Sequence, residues 1–101
     1  MTDFFKRSPP PGFVERELTV KNQYGIHARP AALLVKTASG FQSEIMLENK
    51  DGVAVSAKSI MGLLTMEGHH GAVFKCKAEG PDATQAVDAL QDLFDRKFFE
   101  D

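Results

Sequence analysis

Cysteine is almost missing from this chain: Cys76 stands alone among 101 residues. No disulfide can close within the molecule, and the reading leans to a reducing, cytoplasmic setting. An excess of basic charge is missing too. Twelve Lys and Arg face fourteen Asp and Glu, a formal charge of −2, which argues against a nucleic-acid binder. No apolar run approaches the roughly 18 residues that a membrane helix needs, so membrane insertion is not expected. The polar, proline-bearing start has no apolar middle of the signal-peptide kind. No repeat of solenoid period occurs. What is present, 43% hydrophobic and 26% charged residues, is enough for one domain with a single core, without a metal or cofactor to hold it.

Residues 1–12 contain Ser8-Pro9-Pro10-Pro11-Gly12. Consecutive prolines lack backbone donors and fix φ, so an extended N-terminal arm is expected there, with Phe4 and Phe5 as its apolar exception. The domain is expected over 13–101. From Phe13 the chain alternates: Val14, Leu18 and Val20 on one side, Glu15, Glu17 and Thr19 on the other. Arg16 interrupts the apolar side and is expected near the sheet rim. Asn22-Gln23-Tyr24-Gly25 reads as a loop. Ala31, Ala32, Leu34, Val35 and Ala38 have helical spacing, with Gly40 as the expected stop.

Ser43 to Glu48 alternates again, with Ile45 and Leu47 facing inward. Asn49-Lys50-Asp51-Gly52 is a hairpin signal, and Val53 and Val55 continue into a second strand. Ser59 precedes Ile60-Met61-Gly62-Leu63-Leu64 as the N-cap of a one- to two-turn helix. Ala72 to Glu79 is a strand with Phe74 and Cys76 inward and Lys75 and Lys77 outward. Asp82 is expected to cap a last helix whose stripe is Ala83, Ala86, Val87, Leu90, Leu93 and Phe94. The order β-α-β-β-α-β-α predicts an α+β fold: a four-stranded antiparallel sheet covered on one face by three helices.

The stretch with most chemical content is Gly25-Ile26-His27-Ala28-Arg29-Pro30-Ala31. His27 falls where a loop ends and a helix begins. Such a start leaves backbone N–H groups unpaired and carries partial positive charge, which suits an anion and phosphate above all. A negative group carried on the ring would lie over the N–H groups of Ala28 and Arg29. The Arg29 guanidinium can offer paired donors to phosphoryl oxygens. Pro30 belongs in the first turn, where its missing donor costs no helical bond, and it is expected to hold Arg29 extended.

These residues resemble a known signature. Gly25-Ile26-His27-Ala28-Arg29-Pro30-Ala31-Ala32 closely resembles the active-site motif of the HPr family, the histidine-containing phosphocarriers of the bacterial phosphoenolpyruvate:sugar phosphotransferase system. Lys58-Ser59-Ile60-Met61-Gly62-Leu63-Leu64-Thr65-Met66 resembles that family's regulatory-serine region. The separation of the two blocks matches, allowing one extra residue near the Asn49–Gly52 turn. The resemblance covers roughly Phe13 to Phe99 and implies an open-faced β-sandwich.

By that resemblance, His27 would accept a phosphoryl group on Nδ1 from phosphorylated enzyme I and pass it to a IIA-type domain. Arg29 and the N–H groups of Ala28 and Arg29 would support the charge, with no metal. Ser59 would be a substrate of an HPr kinase/phosphorylase in organisms that have one. Apart from the resemblance, Ile60, Met61 and Leu64 are candidates for a docking patch with Ala28 and Arg29, since Met and Arg favour interface centres, and helical spacing predicts Leu63 buried and Met61 the most exposed. Gly62 departs from the polar or basic residue usual at its place. The resemblance also admits a regulator that binds partners according to its phosphorylation state, of the nitrogen-branch or serine-phosphorylated kind. The adjacent pair His69-His70 lacks ligands at metal spacing. Cys76 reads as an inert core residue, and a monomer is expected.

Overall fold

The computed structural model describes residues 12–100; the expected arm, with Phe4 and Phe5, lies outside the described residues except for Gly12. The elements are β1 (Phe13–Thr19), α1 (Ala28–Ala38), β2 (Glu44–Glu48), β3 (Ala54–Ser56), α2 (Ile60–Thr65), β4 (Val73–Glu79) and α3 (Ala83–Asp95), followed by a short turn over Lys97–Phe99. The four strands form one antiparallel sheet in the order β1-β4-β2-β3. Three helices cover one face of it, the open-faced sandwich expected from the alternation.

Register explains the two faces. Leu18 pairs with Phe74, and Cys76 lies between Arg16 and Leu47. Leu18, Phe74, Cys76, Ala78, Ile45 and Leu47 point under the helices and are buried. The opposite face alternates in charge, with Lys75 flanked by Glu17 and Glu48 across the ladder. Lys77 Nζ donates to Glu48 Oε1 at 2.7 Å, which lowers the Glu48 carboxyl below its usual range. Complementary charges on a solvated face discourage stacking of sheets without adding to the core.

β1 is an edge strand, and Arg16, facing the helices there, donates to Asp88 at 2.6 Å and Gln91 at 2.8 Å, both on α3. α3 buries the expected stripe of Ala83, Ala86, Val87, Leu90, Leu93 and Phe94. The Phe94 ring meets that of Phe98 at 5.0 Å and 59°, a tilted geometry favoured by the ring quadrupoles.

Several local expectations are corrected. Val53 is 53% exposed and lies in the turn, so β3 begins only at Ala54. The bonds from the Asp51 and Val53 amides to the Asn49 side chain complete the turn before the strand starts. Ala32 is exposed rather than part of the α1 stripe. α1 does stop just before Gly40: it ends at Ala38 through Ser39 in right-handed geometry, with the Gly40 amide donating to the Thr37 carbonyl. Asp82 does precede α3, but its side chain makes no bond to that helix. Its carboxylate instead accepts from Ser43 Oγ at 2.6 Å and from the Gln42 and Ser43 amides at 2.9 Å. These bonds fasten the start of α3 to the start of β2 and hold the carboxyl below its ordinary range, the Ser43 hydroxyl contributing most.

Candidate active site

His27 is the N-cap of α1, with extended backbone at φ −97° and ψ −164°. Its carbonyl accepts from the Ala31 amide at 3.0 Å, while its ring makes no bond to the helix. Arg29 is the second helical residue, so the extended geometry expected at Arg29 falls on His27 instead. Pro30 comes third and is buried. Its missing donor removes one of the orphans at this helix start, and the amides of Ala28 and Arg29 have no partner within the helix.

The loop before the helix is held from below. Gly25 has φ +72°, and a Cβ there would run into the Gly68 carbonyl oxygen. The Ile26 amide donates to that same oxygen at 2.8 Å. Asn22 is wholly buried. Its Nδ2 donates to the Gly25 carbonyl at 2.7 Å and to Glu100 Oε1 at 3.1 Å.

Glu100 is the neighbour that the sequence reading did not find. Its Oε2 lies 2.9 Å from His27 Nε2, and its side chain is 15% exposed against 43% for the His27 ring. It is brought there by Lys97, Phe98 and Phe99, which carry φ of +57°, +55° and +61° in succession. Phe98, fully buried, anchors the turn in the core. Tyr24, His27, Arg29, Phe99 and Glu100 line one shallow, open depression. Tyr24 and Phe99 are 73% and 59% exposed. Among the described residues Arg29 forms no ion pair.

The second expected block stands on α2, which packs beside α1. Ser59 caps it: Oγ accepts from the Gly62 amide at 3.1 Å. Leu63 is buried, Met61 is the most exposed, and Ile60 and Leu64 are partly so, as the helical spacing predicted. Gly62 has a packing reason, since a Cβ there would come to 3.0 Å from Val55 Cβ. His69 and His70 are exposed beside a separate concavity formed with Asn49–Asp51. His70 Nδ1 lies 3.2 Å from the Asn22 carbonyl. No cluster of three or more metal-ligating side chains occurs among the described residues. Cys76 is fully buried, and desolvation pushes its thiol up to about 11, which makes it unreactive.

A family model described as "PTS HPr component phosphorylation site" matches residues 14–96. The chain belongs to the HPr family. It is similar to the phosphocarrier protein HPr of Treponema pallidum, 46% identical over 88 residues, covering 87% of this chain and 99% of that one. Similarity extends to the phosphocarrier protein NPr of Proteus mirabilis, 37% identical over 86 residues, covering 85% and 96%. The fold matches the crystal structure of HPr-C-His from Thermoanaerobacter tengcongensis with a TM-score of 0.83 at 49% identity, covering 87% of this chain and 98% of that one. The protein is therefore an HPr-family phosphocarrier of the phosphotransferase system. Among the described residues no helix is long and apolar enough to cross a membrane.

Proposed function

We propose that His27 is the phosphoryl acceptor and that Nδ1 is the reacting atom. The observation that carries this reading is a half-exposed ring on an uncapped helix start, with Nε2 engaged by Glu100. The Nδ1 lone pair attacks phosphorus on the phosphohistidine of enzyme I. The donor's N–P bond breaks, and its electron pair returns to the donor ring. The reverse sequence hands the group to a histidine or cysteine of a IIA-type domain. Such a transfer needs alignment and charge stabilisation more than covalent help from the protein.

The Ala28 and Arg29 amides and the Arg29 guanidinium supply that stabilisation, the helix-start component being worth up to ~2 kcal/mol. It must stay modest, because a carrier that holds its cargo too tightly cannot release it. No metal or cofactor enters the scheme. Ile60, Met61 and Leu64 form the apolar part of the docking face beside the site. A flexible methionine there suits successive partners. Ser59 is the regulatory position: a phosphate on its hydroxyl, placed by HPr kinase/phosphorylase, would repel acidic partners from that face. Every residue invoked lies on one chain, so a monomer suffices.

Incubation with phosphoenolpyruvate and enzyme I tests the reading. An acid-labile phosphate on His27, absent from His27→Ala, is expected; labelling at another residue, or none in the folded protein, overturns it.

A further inference from the structure

Neither block of chemical residues contains Asn22 or Glu100, yet both converge on the His27 ring from opposite ends of the chain. Their donors and acceptors leave little freedom. Asn22 Nδ2 gives one proton to the Gly25 carbonyl and the other to Glu100 Oε1, at 2.7 and 3.1 Å. A flip of this amide would set Oδ1 against the Gly25 carbonyl, acceptor to acceptor, so the orientation is locked. Oδ1 is left buried with no partner among the described residues. The carboxylate faces His27 Nε2 with both oxygens: Oε2 lies 2.9 Å away, and Oε1, which also accepts from Asn22, lies 3.3 Å away in hydrogen-bond geometry.

We propose that Glu100, held by Asn22, is a positioning residue that keeps the His27 proton on Nε2 and so leaves the Nδ1 lone pair free. A carboxylate only accepts, so the facing ring nitrogen must donate. The proposal rests on the carrier reading for its purpose, because only a transfer to Nδ1 needs that nitrogen bare. The transfer itself supplies a second reason. When the N–P bond forms at Nδ1, no proton leaves Nε2, and the ring becomes cationic. That charge develops on a helix start, where it is disfavoured, and Glu100 is the counter-charge on its other side. When the group departs, the electron pair of the N–P bond returns to Nδ1 and the ring is neutral again.

The turn over Lys97–Phe99 gives the arrangement its reach. Three successive non-glycine residues in left-handed geometry are costly without a compensating contact. Burial of Phe98 and the seating of Glu100 are the contacts they secure here.

Glu100→Gln separates this account from a merely structural one. Its amide oxygen goes to the fixed Asn22 donor, which turns the NH2 group toward His27 Nε2. An Nε2–H would then meet the NH2 group at the closer position, donor against donor, so acceptance at Nε2 and a proton on Nδ1 are favoured over the longer contact to the amide oxygen. Long-range 1H–15N spectra of the unphosphorylated protein, at a pH where the ring is neutral, read the tautomer directly. The Nε2–H form is expected in the parent protein, the Nδ1–H form in Glu100→Gln, a mixture in Glu100→Ala, and near-parent behaviour in Glu100→Asp. Phosphoryl acceptance from enzyme I should fall tenfold or more in Glu100→Gln, below Glu100→Ala, with Glu100→Asp closest to the parent.

An unchanged tautomer in Glu100→Gln overturns the proposal whatever the rates do. A shifted tautomer with an unchanged acceptance rate overturns its role in transfer. Tautomers that behave as expected in a parent protein that takes no phosphate overturn the carrier reading and leave the proton placement standing.

Discussion

Helices α1 and α2 both begin after a polar residue in extended conformation, and they use it in opposite ways. Ser59 turns its hydroxyl back onto the Gly62 amide and closes its helix. His27 gives its own helix nothing from the side chain and looks instead to Glu100, 73 positions away. A third start, that of α3, lends its Asp82 carboxylate to the chain before β2. A helix start that caps itself is a structural joint, whereas one that leaves its first amides uncovered beneath a reactive ring is fit for an anion. The same local signal, a polar residue before an apolar run, therefore has three outcomes, and only tertiary neighbours separate them.

The largest expected effect falls on the open start. His27→Ala should abolish phosphoryl acceptance while costing no more than about 1 kcal/mol of stability, the range of a partly exposed pair such as His27 and Glu100. Labelling and thermal melts on one sample check both halves. A large loss of stability would erase the contrast with Ser59. Arg29→Ala comes next: losing a charge-assisted bond of about 1.5–3 kcal/mol slows transfer by roughly 10- to 100-fold with an unaltered melt. An unaltered rate in quenched-flow labelling would remove Arg29 from the mechanism.

Ser59→Ala should show the reverse pattern. About 0.5–2 kcal/mol of stability is lost, with Tm falling by roughly 4–8 °C per kcal/mol, while His27 still takes phosphate. The smallest effect is the acid limb at α3. Asp82 titrates below its ordinary value because Ser43 and neighbouring amides bond its charged form. Its contribution is thus complete above the unfolded carboxyl value of about 3.9 and is lost as pH falls through the lower folded value. Asp82→Asn should melt lower near neutrality and show a flatter loss of Tm below about pH 4. Parallel curves for the two proteins would show that the bond to Ser43 does not matter.

The sheet was legible because period-two alternation reports burial face by face, as in Phe74, Cys76 and Ala78. His27, Arg29 and Ser59 were legible because their signals are local. Asp82 misled because its capping pattern is also local, and the Ser43 hydroxyl and nearby amides outcompeted the helix for its carboxylate. Asn22 read only as a turn residue, since nothing in the adjacent sequence indicates that its amide is buried and reaches Glu100. The reversal of Lys97, Phe98 and Phe99 could not be foreseen from residue type: left-handed backbone is ordinarily written in glycine, and none is present.

That last segment also offers a handle for engineering. Lys97 is exposed and stands first in the left-handed run, so replacing it with glycine or asparagine relieves torsional tension without disturbing the aromatic plug behind it. Such a variant would raise heat tolerance where many stabilising changes stiffen the chemistry itself, leaving the working face of the carrier as supple as before.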